Sequence, residues 1–261
     1  MFTVRIISLL LGFTSMVSLV HADSISLYDA ALNDELPEVQ SEYIFRSTYD
    51  VMGTSEYMTE GTDSFVRIDT IASNTTRYGY VIKDVAMDRT QGVNLDFTIR
   101  IYDSTVEYYH RGPFSIHINT SDKMGLELYF RADEIFSTNT DFFRRVSASY
   151  VTTGFVDYNL YISGDSFTLS ANSTVILTDT LVNFPDDSIY FHDYPRISFG
   201  DGSAVASGII DIASLSVYGA GVSSLLPEPE PEPEPHPIPE PLSVIMLVCS
   251  VLGAGVKRFF G

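Results

Sequence analysis

The feature that most restricts how this chain can fold is a strict two-residue alternation of apolar and polar side chains. Val93-Asn94-Leu95-Asp96-Phe97-Thr98-Ile99-Arg100-Ile101 alternates without a break. Phe114-Ser115-Ile116-His117-Ile118-Asn119, Leu126-Glu127-Leu128-Tyr129-Phe130-Arg131 and Val156-Asp157-Tyr158-Asn159-Leu160-Tyr161-Ile162 do the same. Successive side chains of a strand point to opposite faces, so each run predicts a strand with one face buried and one in water. Further strands are predicted at Phe65–Ile71, Gly79–Val85, Ser166–Ala171, Thr174–Thr178, Arg196–Phe199 and Gly208–Tyr218. Turn-forming groups separate them: Thr120-Ser121-Asp122-Lys123, Ser163-Gly164-Asp165, Ala171-Asn172-Ser173 and Gly200-Asp201-Gly202-Ser203. Ten or more short antiparallel strands in about 200 residues predict an all-β fold, a two-sheet β-sandwich or jelly roll.

The two ends of the chain read differently. Arg5 is the only charge before Asp23, Ile6 to Val20 is mostly apolar, and Val20-His21-Ala22 has signal-peptidase spacing. Residues 1–22 are therefore expected to be a cleaved signal peptide. At the other end, Pro and Glu alternate from Pro227 to Pro235, His236-Pro237-Ile238 follows, and then Pro239-Glu240-Pro241. Proline fixes φ and the glutamates repel one another, so this stretch favours an extended polyproline II spacer. Its fifteen residues would reach roughly 45 Å at about 3.1 Å each. Leu242–Val256 is a 15-residue apolar run followed by Lys257-Arg258. As a helix it would be about 22 Å long, short for a bilayer core of about 30 Å, with Phe259-Phe260 and local thinning making up the difference. The expected organisation is a signal peptide (1–22), a β-sandwich (23–220), a Pro/Glu linker (221–238) and an anchor segment (239–261) with a transmembrane helix near 242–256.

Charge and cysteine narrow the function classes. The chain has 34 acidic and 15 basic residues, and residues 1–22 and 242–261 hold no acid and only Arg5, Lys257 and Arg258. The middle is thus strongly anionic, which excludes nucleic acid as a partner because phosphates would be repelled. Cations, neutral glycans and basic surfaces remain, and solubility alone would also account for the acid. The only cysteine, Cys249, lies in the apolar tail, so the exported part has no disulfide and must be held by its core. That suits a bacterial envelope protein. Asn74, Asn119 and Asn172 open Asn-x-Ser/Thr triplets and are read as turn and strand polar residues.

Two resemblances follow. Asp157-Tyr158-Asn159-Leu160-Tyr161-Ile162-Ser163-Gly164-Asp165-Ser166-Phe167-Thr168-Leu169-Ser170-Ala171-Asn172 resembles a strand pair of concanavalin A-like lectin/glucanase domains. Ile197 to Gly202 and the closing strand Ile209 to Tyr218 resemble the laminin-G-like members. The resemblance spans Ser26 to Tyr218 and implies a lectin-like sandwich. Pro239-Glu240-Pro241, Leu242–Val256 and Lys257-Arg258 resemble the PEP-CTERM sorting signal of Gram-negative bacteria. That resemblance implies an exosortase, a membrane cysteine peptidase or transpeptidase that cuts near the tripeptide, as partner. It also implies anchoring in the inner membrane with the domain in the periplasm, then delivery to the cell surface or extracellular matrix, alongside exopolysaccharide and biofilm. The basic end is thin, and the repeated Pro-Glu leaves the processed bond open. A glycosylphosphatidylinositol signal is the alternative, but it would not normally place basic residues after the apolar run.

No catalytic residue is assigned. Glucanases of this fold carry carboxylates in a Glu-x-Asp-x-(x)-Glu pattern, which places two on one strand face. Here Glu127 is followed by Tyr129 and Arg131, Asp133-Glu134 are adjacent, and Asp186-Asp187 sit beside Pro185. His-Glu-x-x-His and Gly-x-Ser-x-Gly are absent. Carbohydrate binding has candidates on the polar faces of three alternating runs, expected to lie side by side: Arg100, with Asn94, Asp96, Thr98 and Tyr102 on the first, His117 and Asn119, with Ser115, on the second, and Glu127, Tyr129 and Arg131 on the third. Such groups hydrogen-bond and stack on sugars, although an ordinary solvated sheet face would look the same. No cofactor is expected and no metal ligand is assigned. A structural calcium near Asp186, Asp187, Asp193 and Asp201 is possible in lectin-like sandwiches, without the dense acidic run that would name its ligands. The expected function is a non-catalytic, carbohydrate-binding surface protein. A glycan-active hydrolase of the same fold and a purely structural matrix protein are the alternatives.

Overall fold

The computed structural model describes residues 23–48, 53–71, 78–106, 108–184, 195–202 and 205–226. In chain order the elements are β1 (Asp23–Asp29), a short α1 (Pro37–Gln40), β2 (Ile44–Thr48), β3 (Thr54–Glu60), β4 (Asp63–Asp69), β5 (Tyr78–Ile82), β6 (Val85–Met87), β7 (Val93–Val106), β8 (Phe114–Asn119) and β9 (Met124–Phe130). There follow β10 (Glu134–Thr138), β11 (Arg144–Ser149), β12 (Val156–Ser163), β13 (Ser166–Ala171), β14 (Thr174–Thr180), β15 (Val182–Asn183), β16 (Arg196–Asp201), β17 (Ala206–Gly219) and β18 (Val222–Ser224). They form two antiparallel eight-stranded sheets. One runs β14-β13-β12-β7-β17-β4-β3 with β1 also on β17, and the other runs β11-β10-β9-β8-β16-β5-β2 with β15 also on β9. The chain is therefore an all-β antiparallel two-sheet sandwich.

The alternation explains the layering. In β7, Val93, Leu95, Phe97, Ile99 and Ile101 are all buried, while Asn94, Asp96, Thr98 and Arg100 point outward. In β12, Val156, Tyr158, Leu160 and Ile162 do the same. Facing them from the second sheet are Phe114, Ile116 and Ile118 of β8 and Leu126, Leu128 and Phe130 of β9. Phe130 joins the layers: its ring meets Phe97 edge-on at 5.9 Å and Tyr158 at 5.3 Å. Each fully buried side chain of this kind contributes about 1.5–3 kcal/mol through water exclusion.

Local turns fix the hairpins. Between β12 and β13 the chain reverses at Gly164, whose φ of +58° lies in the left-handed region glycine tolerates best. Asn172 and Ser173, both at positive φ, form the two-residue turn into β14, with the backbone handedness that matches strand twist. The continuous strand expected over Gly79–Val85 is broken. Asp84 takes a φ of +62°, β5 stops at Ile82, and β6 leaves to pair with β18 as a separate ribbon. The ribbon carries the fold past Ala220, and the described residues belong to one compact unit ending at Leu226. Among the described residues no helix is long and apolar enough to cross a membrane. The signal peptide, the Pro-Glu spacer and the 242–256 segment lie outside the described residues.

Two polar devices tie strands together. On the outer face of the first sheet, Asp211 of β17 stands opposite Arg67 of β4 on one side and Arg100 of β7 on the other. Its carboxylate is fully buried and accepts from Arg67 Nε at 2.7 Å, Arg67 Nη2 at 2.9 Å and Arg100 Nε at 2.6 Å. Arg100 also pairs with the exposed Glu60, and its guanidinium lies 4.5 Å from the Phe155 ring. At the sandwich side, Arg145 of β11 reaches across to β14, donating to the Thr180 carbonyl and hydroxyl, each at 2.7 Å, and pairing with Asp179 at 2.9 Å.

Removing the carboxylate would leave Arg67 without its anion and Arg100 with only the exposed Glu60. The Asp211→Asn variant is expected to lose about 3 kcal/mol in urea unfolding, in the range for breaking a buried charge pair. Glu60→Gln, at the exposed end of the same cluster, should leave the unfolding midpoint nearly unmoved. A midpoint unchanged by Asp211→Asn would show that the clamp does not hold the three strands.

Candidate functional site

The three runs expected to share a polar face are split between the sheets. Arg100 lies on β7 in the first sheet, whereas His117, Asn119, Glu127 and Tyr129 lie on β8 and β9 in the second. Arg100 is committed to the Asp211 clamp. The β8 and β9 residues are indeed neighbours, with His117 opposite Glu127 and Ser115 opposite Tyr129. They are not the solvated face that alternation suggested: His117 and Glu127 are 8% exposed, Tyr129 1% and Asn119 0%. The outer side of this sheet is covered too. Phe184 meets the His117 ring edge-on at 5.1 Å, and Phe136 stacks on Tyr129 at 5.5 Å. Glu127 accepts from the Tyr129 hydroxyl at 2.9 Å and from the Thr138 hydroxyl at 2.7 Å. Arg131 donates to the carbonyls of Arg111, Tyr108 and Tyr109, so it holds a loop in place. Burial and the neighbouring Arg144 charge hold its pKa below the usual guanidinium range.

His117 is kept neutral. Burial, helped by the positive charge of Arg196, pushes its pKa from 6.5 down to about 3. The unfolded chain takes up a proton below about pH 6.5 that the folded chain refuses until about pH 3. Stability is therefore complete above the unfolded value and is lost as pH falls through this window, at about 1.4 kcal/mol per pH unit. Between pH 7 and 5 the protein should lose about 2 kcal/mol more than its His117→Gln variant in urea unfolding. Identical acid slopes for the two proteins would refute the assignment.

The open polar surface lies on the other sheet. Outward positions of β7, β12 and β17 line a groove of about 430 Å³, with Asp96, Thr98, Asp157, Asn159, Ser214 and Ser216 along it. The register places Asp96 opposite Asn159 and Thr98 opposite Asp157 across β7 and β12. On the other side of β7, Ser216 stands opposite Asp96 and Ser214 opposite Thr98. Asn159 Nδ2 donates to Asp96 at 2.6 Å and lies 3.3 Å from the Tyr218 hydroxyl. Thr98 donates to Asp157 at 2.7 Å and accepts from Ser214 at 3.0 Å. Burial and the nearby Asp96 raise the Tyr218 pKa, so its hydroxyl stays protonated. The groove thus presents carboxylates, amides and hydroxyls, a donor and acceptor set suited to polyhydroxylated ligands. Its β7 residues, Asp96 and Thr98, belong to the face that alternation marked. Asp157, Asn159, Ser214, Ser216 and Tyr218 were missed, although β12 carries the same alternation.

Among the described residues, no group of three or more His, Cys, Asp or Glu side chains is placed to hold a metal ion. Of the four loop aspartates considered for calcium, Asp201 is buried and accepts from the Thr70 hydroxyl at 2.6 Å. Asp186, Asp187 and Asp193 lie outside the described residues.

No family model and no curated protein matches this chain. Solved structures do. A carbohydrate esterase of the Shiga toxin-encoding bacteriophage phi24B is 12% identical, with a TM-score of 0.52, over 76% of this chain and 99% of its own. A Bacillus subtilis protein of unknown function with a galectin-like fold is 10% identical, with a TM-score of 0.46, over 76% and 97%. The metal-free carbohydrate recognition domain of Emp46p is 13% identical, with a TM-score of 0.46, again over 76% and 97%. At such identities the likeness concerns the fold alone, and of the three only the phage protein is close enough to bear on it.

Proposed function

We propose that this chain is an exported bacterial surface or matrix protein whose lectin-like sandwich binds carbohydrate without cleaving it. The observation that carries this reading is the open groove over β7, β12 and β17, where Asp96, Asn159 and Tyr218 form one hydrogen-bonded group beside the Thr98–Asp157 pair. Carbohydrate recognition needs several fixed donors and acceptors on a rigid support, and central sheet strands supply one. The shared fold with a phage carbohydrate esterase supports the same ligand class. The apolar leader, the Pro-Glu spacer, Pro239-Glu240-Pro241, the 242–256 run and Lys257-Arg258 support export, a membrane stage and processing by an exosortase-type peptidase. The spacer would hold the sandwich off the surface during that stage.

A second reading has its own observation. Asp96 and Asp157 occupy diagonal positions on neighbouring strands and face the same groove, and a pair of carboxylates is what glycoside hydrolysis uses. A glycan array followed by product analysis separates the two. Binding without release of cleaved sugar is expected, and turnover abolished by Asp96→Asn would overturn the non-catalytic reading. Asn159→Ala should weaken binding at least tenfold with the unfolding midpoint little changed. Full affinity in that variant would move the site elsewhere. For export, replacing Pro239-Glu240-Pro241 with alanines should leave unprocessed protein in the inner membrane. Unchanged processing and surface delivery would sink the sorting assignment.

A further inference from the structure

The groove is polar in a one-sided way. Its two charged groups, Asp96 and Asp157, are both acids, and their side-chain partners are the neutral groups of Asn159 and Thr98. Neither has an ion-pair partner among the described residues. This contrasts with the rest of the same face. Asp211, two bulge-shifted positions along β17, holds both Arg67 and Arg100, and Glu60 takes the remaining reach of Arg100. Arg100 is the next outward residue of β7 after Thr98, so the nearest cation on that strand is already engaged. Two carboxylates at diagonal positions of β7 and β12 therefore sit in an open groove with no ion-pair partner among the described residues.

Three properties say what kind of cation would complete it. The groove, at about 430 Å³, falls in the size range of small-molecule sites rather than of a bare ion. Its donors and acceptors are hydroxyl and amide groups: Ser214 and Ser216 on β17, Thr98 on the central β7, and Asn159 on β12, with the Tyr218 hydroxyl 3.3 Å from Asn159. Calcium would need six to eight oxygens, and no cluster of three acidic or other metal-ligating side chains is present among the described residues. A ligand with hydroxyls along its length and ammonium groups at intervals meets both demands. We infer that the groove recognises an amino-sugar polymer, with Asp96 and Asp157 receiving protonated amines and the neutral groups receiving hydroxyls. This names the substrate class of the carbohydrate site proposed above and rests on that reading. The 34 acidic residues of the chain against 15 basic ones add long-range attraction for a polycation.

The test is titration calorimetry of the full-length chain in detergent with glucosamine oligomers. Their fully N-acetylated counterparts and cello-oligomers of equal length serve as uncharged controls. The free-amine oligomer should bind at least tenfold more tightly than either control, and the advantage should shrink as salt rises. Asp157→Asn, at an exposed position, and Asp96→Asn should each cut several-fold from the ratio of free-amine to acetylated affinity measured on the same variant. Thermal melting of both variants identifies any that fail to fold, and the exposed Asp157 carries the test if Asp96→Asn does. Equal affinity for charged and uncharged oligomers would overturn the amino-sugar assignment while leaving a carbohydrate site. Silence toward all three would overturn both readings. Equally tight binding of an oligolysine of matching charge would show nonspecific polycation attraction, and calcium-dependent binding would show a metal site. Either would overturn the inference.

Discussion

Both halves of the outward face depend on a change of phase in β17. Ile210 and Ile212 point into the core, and so do Leu215 and Val217. Those positions cannot share a face in an unbroken strand, because side chains alternate with a period of two. The register against β7 shifts between Ile212 and Ser214, leaving Ala213 as the extra residue of a bulge. Its carbonyl is not wasted: it accepts the backbone N–H of Ala30, just beyond β1, at 2.9 Å. Below the bulge the outward residue is Asp211, which gathers two arginines. Above it the outward residues are Ser214 and Ser216, which line the groove, and Tyr218, whose hydroxyl lies 3.3 Å from Asn159. Without the bulge, one half of the strand would turn its isoleucines or leucine to solvent and its polar groups to the core.

The second sheet solves a different problem, polar groups covered on both sides. Burying a polar group costs free energy unless a partner replaces water. Glu127 is satisfied by the Tyr129 and Thr138 hydroxyls, and His117 is relieved of its charge. Gly125 lets this layer close: a Cβ there would lie 2.2 Å from the Ile118 carbonyl oxygen and 2.7 Å from Asn119 Oδ1. The result is a closely packed layer behind the core. The accessible chemistry lies on the first sheet.

Much of the architecture was legible because the core strands obey one period. The runs over β7, β8, β9 and β12 name their inward residues correctly, and Gly164 and Asn172-Ser173 mark the turns. Strands such as β3 (Thr-Ser-Glu-Tyr-Met-Thr-Glu) and β11 (Arg-Arg-Val-Ser-Ala-Ser) were missed because sheet-edge segments expose both faces and carry little apolar signal. Alternation also cannot say what lies over a polar face. Ser115, His117 and Asn119 read as solvated, yet Phe184, far along the chain, packs on His117. The groove was illegible for a related reason. Its side chains come from three segments, and only strand register brings residues 96–98, 157–159 and 214–218 together. Alternation marks Arg100 as a group that could hydrogen-bond a sugar from a polar face, but a cation opposite a buried aspartate is held in place by it.

The reach of Arg145 from β11 to Thr180 has a consequence for how such molecules behave when crowded. β11 and β14 are the terminal strands of the two sheets, and an uncapped terminal strand is a template on which a second copy can add. The guanidinium occupies a carbonyl of β14 that an incoming strand would need and sets a bulky charge across the seam. Molecules concentrated side by side can then remain separate particles instead of growing into a cross-β fibre.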